Sequence, residues 1–142
     1  MIKVLTSGPL TTVQDLGRSG YQSIGVPESG PIDRFAARCA NLILGNMENS
    51  PLLEATLIGP TLQFEERVKI CITGGDFRPL LEGRPLSNWK AEDVKKGHIL
   101  SFKGRKSGAR IYIAFQGGIS KSILDNVMGS VSTYIPGGFG GI

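Results

Sequence analysis

Apolar positions near the start of the chain come in short groups. Ile2 and Val4, then Leu10 to Val13, read as brief strands broken by Ser7-Gly8-Pro9. From Asp15 to Gly30 the pattern lapses into a glycine- and proline-punctuated loop. Ile32, Phe35, Ala36, Cys39, Leu42 and Ile43 then recur at three- and four-residue steps. That stripe predicts one principal helix over about residues 31–45, with the stripe turned to the core. Ser29 or Gly30 stands where an N-cap belongs, Pro31 suits the first turn, and Gly45 suits the left-handed position that ends a helix.

After the helix the period changes to two. Val68, Ile70 and Ile72 alternate with Lys69, Cys71 and Thr73, ending at Gly74-Gly75. Leu100 and Phe102 follow His98 at alternate positions, and Ile111, Ile113 and Phe115 alternate with Arg110, Tyr112 and Ala114 up to Gly117-Gly118. Each run predicts a strand with one face toward a core. Leu52 to Leu57 and Leu62 to Phe64 predict two more strands around the Gly59-Pro60 turn. Short strands at this spacing with a single helix predict a mainly β chain, a barrel in preference to a βαβ sheet.

Composition narrows the picture. The 142 residues suit one domain, residues 1–142, and the twenty glycines are about twice the usual share of ~7%, as many tight turns require. No apolar run approaches the ~20 residues of a membrane span, and the Met1-Ile2-Lys3-Val4 start lacks a secretory apolar stretch, which predicts a cytoplasmic protein. The charge of +4 gathers at Lys95-Lys96 and at Lys103, Arg105 and Lys106. The second group reads as a solvated hairpin tip and not as a nucleic-acid surface, because the aromatic residues fall on apolar faces. Cys39 and Cys71 lie in apolar patterns and read as buried free thiols; with His98 the only histidine, no metal site is expected.

Candidate chemistry concentrates in Thr11-Thr12-Val13-Gln14-Asp15-Leu16-Gly17-Arg18, which holds hydroxyls, an amide, a carboxylate and a guanidinium within eight residues. In a strand Thr12 and Gln14 share a face, while Asp15 and Arg18 flank a turn at Gly17. The cluster suits either a self-satisfied turn network or a polar pocket wall, with Gln14 reading a carbonyl and Arg18 clamping a carboxylate or phosphate. At the helix start Ser29 and Asp33 suit capping and the helix dipole, and the N–H groups there can also receive an anion. Asp76 after Gly74-Gly75 suits a turn, and Ser132-Thr133-Tyr134 offers three hydroxyls ahead of the glycine-rich tail. A glycine-rich run can wrap an anion with its backbone N–H groups, but here no helix or strand follows to hold it.

At these motifs the sequence resembles a known family. Gly8-Pro9-Leu10-Thr11-Thr12-Val13-Gln14-Asp15-Leu16-Gly17-Arg18 and Gly25-Val26-Pro27-Glu28-Ser29-Gly30-Pro31-Ile32-Asp33 are similar to the opening of the biotin-dependent carboxyltransferase, or allophanate hydrolase subunit 2, family. The likeness continues through Leu53-Glu54, Gly59-Pro60, Thr73-Gly74, Ser132-Thr133-Tyr134 and Gly138-Phe139-Gly140-Gly141. Two positions depart from it: Gly75, often alanine, and Val131, often arginine.

The resemblance implies a cyclophilin-like β-barrel, the first lobe of two, with residues 119–142 beginning the connection to the second. It implies a subunit of an ATP-dependent 5-oxoprolinase, converting pyroglutamate to glutamate, or of a related urea or amide carboxyltransferase. The companion would be of the subunit 1, kinase-inhibitor-like type and the substrate a small amide or lactam, with no role for nucleic acid or membrane. No biotin-attachment motif or phosphate loop occurs, so no cofactor is expected in this chain. ATP or carboxybiotin would belong to the complete complex, leaving the isolated chain inactive. Gln14, Asp15 and Arg18 are then the expected catalytic group, and Thr12, Ser29, Asp33, Thr133 and Tyr134 the expected substrate contacts. A rival reading is a non-catalytic module that antagonises a histidine-kinase inhibitor; prolyl isomerisation, suggested only by fold analogy, ranks last.

Overall fold

A computed structural model describes residues 2–14 and 31–119. The elements in chain order are β1 (Ile2–Thr6), β2 (Thr11–Gln14), α1 (Arg34–Ile43), β3 (Leu52–Thr56), β4 (Thr61–Phe64), β5 (Val68–Asp76), β6 (Pro79–Leu81), β7 (Arg84–Pro85), β8 (Glu92–Val94), β9 (Ile99–Phe102) and β10 (Ser107–Phe115). The mainly β expectation and the single principal helix hold among the described residues. The strands form two five-stranded antiparallel sheets, ordered β1-β4-β9-β6-β7 and β2-β3-β10-β5-β8, and the hydrogen-bonded ladders do not close into a barrel.

The period-2 pattern explains the layers. Val13, Leu53, Ile70, Ile72, Ile111, Ile113 and Phe115 from the second sheet meet Ile2, Leu62, Phe64 and Leu100 from the first in one core. Each fully buried side chain of this size contributes roughly 1.5–3 kcal/mol. The alternate positions of the second sheet, Leu52, Cys71, Tyr112 and Ala114, are buried too, because α1 lies across that outer face.

The helix turns a different side inward from the one its large apolar residues predict. Ala36, Ala37, Ala40 and Leu44 pack on the sheet. Phe35 is 71% exposed, Leu42 56% and Ile32 54%. Alanines permit an approach close enough for the Thr73 hydroxyl to donate to the Ala36 carbonyl at 2.6 Å. Two arcs of the helix are apolar, and periodicity alone does not select between them.

Other boundaries also move. Asp33 is the N-cap, its Oδ1 accepting from the Ala36 N–H at 3.0 Å. The alternative caps Ser29 and Gly30 lie outside the described residues. Gly45 does take the left-handed conformation just past the helix, at φ 76°. Strand β5 runs through Gly74-Gly75 to Asp76, and the basic segment between β9 and β10 crosses from one sheet to the other, so it is no hairpin tip. No helix among the described residues is long and apolar enough to cross a membrane.

Cys71 is buried against the helix, and burial pushes its thiol from the ordinary 9.0 up to about 11. Between those values the unfolded chain releases a proton that the folded chain retains. The stabilising effect is therefore fully present below pH 9 and lost as the pH rises toward 11. Urea unfolding at pH 8 and pH 10.5 should show wild type losing on the order of 2 kcal/mol more than Cys71→Ala. Parallel losses in the two proteins would refute the assignment.

Candidate functional site

The outer face of the second sheet carries a polar row. Register places Thr12 opposite Glu54, Glu54 opposite Tyr112, and Tyr112 opposite Thr73, so side chains from four adjacent strands share one face. All four are buried. The Tyr112 hydroxyl donates to Glu54 Oε2 at 2.7 Å and accepts from the Asp33 N–H at 2.8 Å, while the Ile32 N–H donates to Glu54 Oε2 at 2.9 Å. Backbone donors at the N-cap and the residue before it thus end on an acid–phenol pair in the sheet, which also sets a carboxylate near the positive end of the helix dipole. Burial, reinforced by the adjoining carboxylate, raises the Tyr112 pKa well above its ordinary value and keeps the phenol a donor.

Thr12 and Gln14 share a buried face, as their spacing predicts, and Gln14 Nε2 donates to Thr12 Oγ1 at 2.9 Å. The gap beside Gln14, bordered by Pro31, Ala37 and Asn41, has no room for a water. Asn41 and Asn46 act as braces: Asn41 Nδ2 donates to the Ser50 carbonyl, and Asn46 joins the Phe115 carbonyl to the Gly117 N–H. Asp76 serves a turn, accepting from the Arg78 N–H and from Asn88 Nδ2. Asp15, Arg18, Ser29, Thr133 and Tyr134 lie outside the described residues.

Where α1 begins, the outer face opens into a cleft of about 470 Å³, with Ile32, Asp33, Gly74, Gly75, Trp89 and Arg110 among its walls. This volume falls in the usual range for small-molecule sites, roughly 300–1,000 Å³. The floor is open because β5 and β10 press together through glycine. A Cβ at Gly75 would stand 2.5 Å from the Ser107 carbonyl oxygen, and one at Gly108 would stand 2.6 Å from the Gly75 Cα. Of the expected site residues that are described, Asp33 lines this cleft and Thr12 and Gln14 do not. Glu54, Tyr112 and Arg110 were not among the expected site residues. Their signal was faint: Glu54 interrupts the apolar run Leu52-Leu53-Glu54-Ala55, and Arg110 and Tyr112 occupy the alternate face of an apolar strand.

Two packed antiparallel sheets, a helix anchored on a buried acid–phenol pair and an open cleft at the helix start define a small mainly β lobe with a ligand-sized concavity. Residues 24–142 match the family model described as carboxyltransferase domain, subdomain A and B, and the chain belongs to that family. The urea amidolyase of Saccharomyces cerevisiae is 40% identical over 99% of this chain and 8% of its own length. A 5-oxoprolinase subunit of Escherichia coli is 38% identical over 100% of this chain and 45% of its own. The crystal structure of the K. lactis urea amidolyase superposes with a TM-score of 0.83 and 40% identity, covering 94% of this chain and 8% of that one. The chain therefore spans less than half the length of these curated relatives.

Proposed function

We propose that this chain is a lobe, of the cyclophilin-like type, in a subunit of an ATP-dependent 5-oxoprolinase or a related urea or amide carboxyltransferase-type enzyme. Its support is similarity, over the whole of this chain and 45% of their own lengths, to 5-oxoprolinase subunits of Haemophilus influenzae and Escherichia coli, at 36% and 38% identity. The kinase-inhibitor antagonist reading has no comparable support. On our reading residues 1–142 are one of two such lobes, with residues 119–142 beginning the connection. The lobe works with a companion of the subunit 1, kinase-inhibitor-like type, and free Cys39 and Cys71 accord with the reducing cytoplasm.

The reaction opens the lactam ring of pyroglutamate. Its amide C–N bond breaks, and the elements of water end on the carbonyl carbon and the nitrogen as ATP is hydrolysed. The described cleft walls do not fit a triphosphate, since Arg110 is opposed there by the carboxylate of Asp33. We therefore assign ATP, or carboxybiotin in the carboxylase version, to the complete complex and derive no step through it here. Asp33 has a substrate-facing role in this proposal, and buried Thr12 and Gln14 position the wall behind it. Asp15, Arg18, Ser29, Thr133 and Tyr134 keep the catalytic and substrate-binding roles that the family resemblance implies.

The test is ATP-dependent release of glutamate from 5-oxoproline by the complete complex, comparing wild type with Gln14→Ala and Arg18→Ala. A fall in kcat/KM of about tenfold or more is expected for each, the scale of one lost charge-assisted or buried hydrogen bond. Unchanged values in both variants would remove the cluster from the mechanism. Absence of turnover by the wild-type complex on 5-oxoproline and on urea would overturn the proposal as a whole.

A further inference from the structure

We propose that the cleft between the start of α1 and the β5–β10 ladder is a binding site for a small carboxylate that carries an adjacent N–H, with Arg110 holding the carboxylate and Asp33 accepting from the N–H. The inference deepens the functional reading above, because a lactam carboxylate is the substrate class proposed there.

Unused hydrogen-bonding capacity points to the ligand. Arg110 Nε is buried without a hydrogen-bond partner, and no ion pair neutralises its guanidinium among the described residues. The rest of this half-buried side chain lines the cleft, where an arriving anion would supply the missing counter-charge, and hydrogen bonds to a charged group contribute about 1.5–3 kcal/mol. Directly across the ladder from Arg110 stands Thr56, whose buried hydroxyl also lacks a partner. Two neighbouring unfilled groups on one face mark a place where the fold does not complete its own polar network.

The rest of the cleft sets the ligand's character. Asp33 commits Oδ1 to the helix cap, leaving its second carboxylate oxygen as an acceptor on the same cleft. One cation and one anion match a monoanion with its own N–H donor and disfavour a dianionic phosphate, which would meet repulsion from Asp33. Trp89 supplies an apolar wall and lies 6.5 Å, ring centre to ring centre, from Phe35. Its backbone is held at φ 58°, a conformation rare for a bulky residue that costs on the order of 1–3 kcal/mol and recurs at ligand clamps. Glycine at 74, 75 and 108 leaves room for a small ring to approach the backbone between the two charges.

The test uses calorimetric titration of the full chain with L-5-oxoproline, with 2-pyrrolidinone (the same ring without the carboxylate) and with inorganic phosphate. Wild type should prefer 5-oxoproline to 2-pyrrolidinone by about ten- to a hundredfold, the worth of a charge-assisted pair. Arg110→Met should abolish that preference while leaving 2-pyrrolidinone binding unchanged, and Arg110→Lys should restore part of it. Asp33→Asn, which retains a capping side chain, should weaken both ring ligands alike. Equal binding of the two rings by wild type, a preference that survives Arg110→Met, no binding of 5-oxoproline, or phosphate competing as well as the carboxylate would each overturn the site. The two proposals separate cleanly. Arg110-dependent binding without turnover by the complete complex sinks the enzymatic reading alone, and turnover with a KM indifferent to Arg110→Met sinks the site alone.

Discussion

Replacing Glu54 with alanine should cost this protein about 3–5 kcal/mol of folding stability, a large part of the ~5–15 kcal/mol that holds a domain together. The wild-type carboxylate oxygen Oε2 receives the Tyr112 hydroxyl and the Ile32 N–H. Truncation leaves both donors unpaired, each at about 1–3 kcal/mol, and opens a void beneath the start of the helix. Tyr112→Phe is the milder control at about 2 kcal/mol. It frees Asp33 N–H and removes one donor from Glu54 but preserves the ring packing. Urea midpoints for the three proteins give the comparison. A loss below about 1 kcal/mol for Glu54→Ala would mean that the acid–phenol pair does not anchor the helix. The effect should also reach the cleft, because the same pair fixes the backbone N–H groups of Ile32 and Asp33.

Gly74→Ala should destabilise by about 3 kcal/mol and weaken whatever the cleft binds. Gly74 sits at φ +90°, and a Cβ there would stand 2.6 Å from the Arg110 carbonyl oxygen and 3.2 Å from the Ile111 Cα. The left-handed backbone accounts for roughly 1–2 kcal/mol of the penalty. The remainder comes from pushing β10 away from β5, since the obstructing atoms are backbone and cannot swing aside. Gly97→Ala makes a clean comparison: φ is +87° there, but nothing lies within 4 Å, so only the conformational part of about 1 kcal/mol should appear. Thermal or urea unfolding of the two variants separates crowding from strain, and equal losses would rule out the close strand contact as the cause. Arg110 belongs to the displaced strand, so Gly74→Ala should impair carboxylate binding even though residue 74 carries no polar group.

The strands were legible wherever one face alone met the core. Ile70, Ile72, Ile111, Ile113 and Phe115 carry a period-2 signal strong enough to fix both strand and inner face. β6, β7 and β8 escaped notice because they are only two or three residues long, too short for a period to show. The helix was visible but its buried side was not. Phe35 and Leu42 contribute more hydrophobicity than Ala36 and Ala40, yet only the alanines let the backbone come close enough for the Thr73 contact. Among the site residues, Thr12 and Gln14 were correctly placed on one face because strand geometry is local. The partnership of Glu54 with Tyr112, fifty-eight positions apart, has no local signature.

Sequence by itself determined the mainly β class, the single helix, the glycine that ends it and the shared orientation of Thr12 and Gln14. Each of these follows from backbone preferences within a few neighbouring residues. Tertiary structure decided that the strands divide between two sheets, that the alanine side of the helix faces inward, and that Asp33 and Arg110 line one cleft. Those outcomes depend on which strand lies beside which, and β3, β5 and β10 become neighbours only when the whole chain has collapsed around its shared core.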